Sequence, residues 1–147
     1  MKRRAQSHTP KRVLIAEDDE TMGHLVAEAL QEAGLHAHWV SDGIEALNYV
    51  LESKPDIVVL DLNLPRLQGF EICTMLRKAV PVRQIPVIIL SGLGHWDNKL
   101  QAFELGADDY VTKPFHMDEL VARVEAVLRR ARLSNPPTPF LTHGLAA

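Results

Sequence analysis

Five polar side chains stand directly after hydrophobic runs in this chain of 147 residues. Glu17 and Asp18 follow Val13-Leu14-Ile15-Ala16, Asp61 follows Ile57-Val58-Val59-Leu60, Ser91 follows Val87-Ile88-Ile89-Leu90, and Lys113 follows Tyr110-Val111-Thr112. If the runs are parallel strands of one sheet, all five groups meet at the carboxyl ends of the strands, where such sheets bind ligands. At an effective dielectric of ~20, two carboxylates about 5 Å apart repel by roughly 3 kcal/mol, so Glu17, Asp18 and Asp61 together call for a cation. A hard oxygen-ligated ion, Mg²⁺ or Mn²⁺, suits them. A carboxylate can also attack phosphorus while a lysine neutralises phosphoryl oxygens. Asp61 is the candidate nucleophile, because it ends its run alone and the turn Leu62-Asn63-Leu64-Pro65 is expected to leave it exposed. Lys113, fixed before Pro114, is the second cation, and Ser91 with Gly92 offers a hydroxyl and an open approach to phosphate. Plainer readings exist for each: Asp18 or Asp19 as a helix cap, Asp61 in an Asx-turn, Lys113-Pro114 and Ser91 as turn residues. None of these requires an acid pair, an acid, a hydroxyl and a lysine at the ends of four strands.

The elements that must position these groups are readable from periodicity. Short apolar runs alternate with amphipathic stretches, which implies βαβ units and a parallel sheet. Strands are expected near 12–16, 36–40, 57–60, 87–90 and 109–112, and helices near 20–33, 43–52, 68–78, 97–105 and 116–132. The second strand, His36-Ala37-His38-Trp39-Val40, is mixed in character and suits an edge. Gly34 is expected to cap the first helix, Ser41 or Asp42 to cap the second, and Gly106 to stop the fourth. The last helix places Met117, Leu120, Val121, Val124, Val127 and Leu128 on one face. Right-handed crossovers then favour the doubly wound α/β arrangement of five parallel strands in the order 2-1-3-4-5, the flavodoxin-like fold. In that order Glu17 and Asp18 face Asp61.

Composition bounds the rest. One folded domain is expected at 11–133, between an N-terminal disordered arm at 1–10 and a proline-rich linker or tail at 134–147. Cys73 is the single cysteine, so there is no intrachain disulfide; it is expected as a small, half-buried helical side chain in a cytoplasmic protein. No apolar stretch approaches the ~20 residues that span a bilayer. A net charge of −3 argues against direct nucleic-acid binding by this chain.

At these residues the chain resembles the receiver domain of two-component response regulators (CheY-like), across about 11–132. Ala16-Glu17-Asp18-Asp19 resembles the family's acidic pair, Asp61-Leu62-Asn63-Leu64-Pro65 its phosphoacceptor loop, Ile89-Leu90-Ser91-Gly92 its switch hydroxyl, and Asp109-Tyr110-Val111-Thr112-Lys113-Pro114-Phe115 its switch aromatic and lysine. The resemblance implies that Asp61 accepts phosphate from a histidine kinase. It also implies that Asp18 and Asp61 ligate Mg²⁺, with Glu17 acting through water and Asn63 lending a backbone carbonyl. Lys113 then pairs with the phosphoryl group, Ser91 moves toward it, and Tyr110 swings inward to remodel the face of the fourth helix, fifth strand and fifth helix.

Phe103-Glu104-Leu105-Gly106-Ala107-Asp108-Asp109-Tyr110 and Glu119-Leu120-Val121-Ala122-Arg123 are similar to the subclass with a winged-helix DNA-binding output (OmpR/PhoB-like). There Lys99 would pair with Glu119, and Asp108 or Asp109 with Arg123 or Arg130, across a two-fold dimer formed on phosphorylation. Glu119 and Arg123, four apart on one helix, could equally pair with each other. Departures are Glu17 for aspartate, Ser91 for threonine and Gly92 for alanine, each keeping the needed chemistry; Leu93 is expected to slow self-hydrolysis of the phosphorylated form. The chain is then not an enzyme, beyond catalysing its own phosphorylation and dephosphorylation. Two other readings compete. A haloacid-dehalogenase-like phosphatase would use Glu17, Ser91, Lys113 and the late pair Asp108-Asp109, but lacks an aspartate at 17. A phosphate-independent pseudo-receiver module would leave the complete site unexplained.

Overall fold

A computed structural model describes residues 9–92 and 96–134. The expected arm (except Thr9 and Pro10), Leu93 and the tail from Asn135 onward lie outside the described residues. The chain runs β1 (Arg12–Ala16), α1 (Glu20–Glu32), β2 (His36–Val40), α2 (Gly43–Ser53), β3 (Ile57–Asp61), α3 (Gly69–Lys78), β4 (Val87–Ser91), α4 (Trp96–Glu104), β5 (Asp109–Thr112) and α5 (Met117–Ser134). A 3-10 turn, Val80–Val82, precedes β4. The strands pair in parallel in the order β2-β1-β3-β4-β5, as expected. The helix α5 extends to Ser134, one residue into the expected linker.

Alternation along the strands divides the core in two, because successive side chains leave opposite faces of a sheet. Leu14, Ala16, Val58, Leu60, Val87 and Ile89 pack with α2, α3 and α4 residues such as Val50, Ile72, Leu76 and Ala102. Val13, Ile15, Ile57, Val59, Ile88 and Leu90 pack with Val26 and Leu30 of α1 and Leu120, Val124 and Val127 of α5. Strands β3 and β4 are buried along their whole length, while β2 shows the mixed burial of an edge. Cys73 is fully buried rather than half-buried, since its face of α3 lies against the first of these clusters.

The helix ends follow hydrogen-bond logic. The Asp19 carboxylate accepts from the Met22 N–H (3.2 Å) and the Asp42 carboxylate from the Glu45 N–H (2.8 Å), each satisfying an otherwise unpaired donor of a first helical turn. Asp42, not Ser41, is therefore the cap of α2. Gly34 (φ 90°) and Gly106 (φ 97°) adopt the left-handed backbone just past α1 and α4, where a side chain would be strained.

Candidate functional site

The ladder hydrogen bonds continue past the strand ends and so fix where the polar groups stand. The Glu17 N–H donates to the Val40 carbonyl (3.1 Å), Leu62 N–H to Leu90 (3.0 Å), and Lys113 N–H to Ser91 (2.7 Å). Glu17, Asp61, Ser91 and Lys113 thereby share one edge of the sheet, with Ser91 in register with Thr112. Carboxylate oxygens of Glu17, Asp18 and Asp61 lie within 4.8 Å of one another. Glu17, Asp61 and Ser91 are the buried polar side chains of the described residues, at 1%, 3% and 0% exposure, whereas Asp18 faces solvent.

Lys113 closes the cluster. Its Nζ lies 2.7 Å from Glu17 Oε1 and 2.5 Å from Asp61 Oδ2, so one ammonium bridges both buried acids. The remaining oxygens are also engaged: Glu17 Oε2 accepts from the Asp19 N–H (3.1 Å) and Asp61 Oδ1 from the Asn63 N–H (2.8 Å). The latter is the Asx-turn that served as the plain reading of Asp61; it coexists with the cluster and helps orient the carboxylate. Burial pushes the Glu17 carboxyl above its ordinary value, and outweighs the downward pull of Lys113 and the Asp19 N–H. For Lys113 burial acts downward, but the hydrogen bonds to Asp61 and Glu17 prevail and hold the ammonium above its ordinary value.

Asp61 is buried, not exposed as its turn suggested. The loop after it folds back: Leu62 and Leu64 enter the core, and the Gly69 N–H donates to the Leu62 carbonyl (3.0 Å). A Cβ at Gly69 would sit 2.7 Å from the Asp61 carbonyl oxygen, so α3 can begin this close to the loop only with glycine there. The donor set suits a divalent cation: three carboxylates converge, two buried and one exposed, and the exposed one gives the cluster an opening to water.

The residues expected on a dimer face lie elsewhere, and the structure pairs Asp108, Asp109, Glu119, Arg123 and Arg130 within the chain. Asp109 accepts from Arg123 Nη1 at 3.1 and 3.0 Å, and Arg123 Nε reaches Glu119 at 3.2 Å, the within-helix pairing. Asp108 accepts from the Val87 N–H (2.9 Å) and meets Arg77 (3.3 Å), while Arg130 Nη2 donates to the Asp108 carbonyl (3.5 Å); Lys99 is exposed on α4. Asp108 and Asp109 sit at the amino end of β5, across the sheet from Glu17, so they cannot act with it as the phosphatase reading required. Tyr110 is already buried, in the cluster beneath α4, so this structure shows no outward position of its ring.

Three tethers had no signal in the sequence. Trp39 Nε1 donates to the Glu17 carbonyl (2.7 Å). Arg66, in a left-handed conformation (φ 69°), pairs with Asp42 (2.9 Å) and ties the loop after Asp61 to the start of α2. Arg77 donates to the carbonyls of Arg83, Ile85 and Gly106 at 2.9, 2.8 and 2.6 Å, binding α3 to the amino ends of β4 and β5. Most of these join a side chain to a backbone carbonyl far away in sequence, and any exposed cation or indole could make them.

Comparison with known proteins agrees with this geometry. The response regulator receiver domain family matches residues 13–125. The DNA-binding dual master transcriptional regulator RpaA of Synechocystis sp. is 43% identical over 119 residues, 81% of this chain and 49% of that protein. The phosphate regulon transcriptional regulatory protein PhoB of Pseudomonas aeruginosa is 38% identical over 135 residues, 92% of this chain and 59% of that protein. The chain thus spans about half the length of the curated relatives it matches. Among solved structures, the receiver domain of the Francisella response regulator 1452 superposes with a TM-score of 0.79 at 36% identity, covering 83% of this chain and 99% of that one. The BeF3-activated DrrB receiver domain gives 0.74 at 37%, covering 82% and 99%.

Proposed function

Because the chain belongs to the response regulator receiver domain family, we propose that it is a cytoplasmic, phosphorylation-dependent signalling switch that takes a phosphoryl group from a histidine kinase onto Asp61. The observation that carries this reading is the single ammonium of Lys113 bridging Glu17 and Asp61 beside Asp18. In the transfer, an Asp61 carboxylate oxygen attacks phosphorus, the phosphorus–nitrogen bond of the donor phosphohistidine breaks, and the imidazole leaves with a proton. Lys113 already lies against Asp61, so its charge stands ready to neutralise the incoming phosphoryl oxygens without reorganisation. The Asn63 N–H holds the other carboxylate oxygen and so orients the attacking one. Asp18 and Asp61, with Glu17 through water and the backbone carbonyl of Asn63, would hold Mg²⁺ or Mn²⁺. When bound, that ion supplies positive charge to the phosphoryl oxygens in transfer.

Ser91, at the end of β4, is the hydroxyl that moves toward the new phosphate, and Tyr110 the aromatic that answers it in the core. A ligand shifts a two-state element only through contacts it makes better in one state, and those two residues with Lys113 provide them. The output is dimerisation through α4, β5 and α5, with Lys99, Asp108, Asp109, Glu119, Arg123 and Arg130 exchanging partners across the two-fold, or binding of another partner by that face. Curated relatives are named as transcriptional regulators, which supports a transcriptional output; we assign it to a winged-helix DNA-binding domain outside this chain. Intact mass after incubation with acetyl phosphate tests the reading. One phosphoryl adduct, requiring divalent metal and lost in Asp61→Asn, is expected; an adduct that survives Asp61→Asn, or none in the presence of metal while beryllofluoride also fails to bind, refutes it.

A further inference from the structure

Asp18 is the one carboxylate of the cluster that the structure leaves exposed and without a hydrogen-bond partner among the described residues. Its direction is therefore set by the backbone on either side. Downstream, Asp19 is held as the cap of α1 through the Met22 N–H. Upstream, the Glu17 N–H extends the sheet to Val40, and the Glu17 carbonyl accepts the 2.7 Å hydrogen bond from the Trp39 indole. That second bond acts on the peptide unit joining Glu17 to Asp18. A peptide is planar, so orienting its carbonyl orients the bond that leads into Asp18.

The indole is itself fixed from two sides. A Cβ at Gly23 would overlap the Trp39 ring, so α1 carries glycine where the indole lies against it. The His24 ring meets it edge-on, with centroids 4.9 Å apart at 73°. An edge strand needs no tryptophan to cover its inner face. Only an indole bears both the apolar ring that fills the space over Gly23 and an N–H that reaches the Glu17 carbonyl.

We propose that Trp39 is a positioning residue for the divalent-cation site, its indole N–H orienting the Glu17–Asp18 peptide so that the Asp18 carboxylate points at Glu17 and Asp61. The inference rests on the reading of the acidic cluster as a cation site. Trp39→Phe keeps most of the ring and deletes the donor; Gly23→Ala keeps the donor and displaces the ring, while favouring the helix. Magnesium chloride titrations of the full chain, followed by the Asp18 and Asp61 amide resonances, should show the apparent dissociation constant rising threefold to tenfold in both variants, the size of one net hydrogen bond. The Mg²⁺ dependence of phosphorylation by acetyl phosphate should shift by the same factor, and the rate at saturating Mg²⁺ should move less. Val26→Ala, a truncation in the same α1 core away from the loop, is the control for destabilisation alone, with Mg²⁺ affinity within twofold of wild type. Unchanged affinity in folded Trp39→Phe or Gly23→Ala, or an equal loss in Val26→Ala, overturns the positioning role and leaves the cation site standing. Absence of saturable Mg²⁺ binding in wild type overturns both.

Discussion

Replacing Lys113 by methionine removes the one cation that, among the described residues, contacts both buried carboxylates, and keeps most of the side-chain volume. Two charge-assisted hydrogen bonds are lost, at 2.7 and 2.5 Å, each worth roughly 1.5–3 kcal/mol. Lys113 is about one-quarter exposed, and water can partly replace it, so the expected net loss is about 3 kcal/mol near pH 8, within the range for breaking a buried pair. For a domain of this size that lowers the unfolding midpoint by on the order of 10 °C. The loss depends on pH in a fixed direction. The folded carboxyl of Glu17 lies above its ordinary value of 4.5, and the variant raises it further by deleting the Lys113 hydrogen bond and charge. An acid raised in the folded state favours folding at low pH and loses that contribution as pH climbs through its folded value. The wild-type ammonium, itself raised, stays charged from pH 5 to 8, and its stabilisation fades only above about 10.5. The deficit should therefore be smaller at pH 5 than at pH 8. Added Mg²⁺ should shrink it at pH 8 by supplying the missing charge. Urea unfolding of both proteins at the two pH values, with chelator and with Mg²⁺, measures each term. A deficit equal at both pH values and indifferent to Mg²⁺ would show that the ammonium contributes packing alone and would refute the charge reasoning.

Burial pushes the Cys73 thiol up to about 11, so iodoacetamide at pH 8 should leave native protein unmodified and alkylate it fully in urea; prompt native alkylation, read by mass, would contradict the burial. Gly69→Ala forces a Cβ to 2.7 Å from the Asp61 carbonyl oxygen, and should cost about 1–3 kcal/mol in urea unfolding and slow phosphorylation by acetyl phosphate; wild-type values in both assays would show that α3 does not brace the loop. Arg123→Ala breaks ion pairs that are more than one-third exposed on the arginine side, so monomer stability should fall by less than about 1 kcal/mol. In sedimentation with beryllofluoride wild type is expected to dimerise, as proposed, and the same variant to remain monomeric; equal dimerisation would remove Arg123 from the interface.

The strands were legible because burial on both faces demands uninterrupted apolar runs, and Val13–Ala16, Ile57–Leu60 and Val87–Leu90 have nothing else in them. Crossover handedness narrowed the strand order and the usual five-stranded arrangement completed it, and with it the meeting of Glu17 and Asp18 with Asp61. Lys113 was legible from its place after β5, since the ladder that aligns Ser91 with Thr112 brings the next residue to the same edge. The burial of Asp61 was not, because it comes from how Gly69 lets α3 press on the loop, a contact between segments whose separation in sequence says nothing about their approach. The same holds for Arg77, which binds carbonyls that any residue type supplies. The left-handed Lys54 and Arg66 were invisible for a different reason: neither is a residue whose side chain favours that conformation.

What links the site to the proposed output face is the shortness of β5. The strand has four residues, from Asp109, which holds Arg123, to Thr112, which precedes Lys113. Alternation sends Val111 toward α5 and Tyr110 toward α4, so both helices rest on neighbouring residues of one strand. Strand β4 lies alongside, with Ser91 at its end and Ile89 in register with Tyr110. Ser91 and Lys113 thus lie two and three residues along the chain from the buried pair Ile89 and Tyr110. Proximity of this kind is not coupling in itself, since coupling requires an element with two arrangements that both ends bias. Under the proposed switch, that element would be Arg123, whose guanidinium is shared between Asp109 on the strand and Glu119 on its own helix. In that proposal, displacing Asp109 would leave the Glu119 partnership and release the strand carboxylate, and a second copy of the chain would read the change.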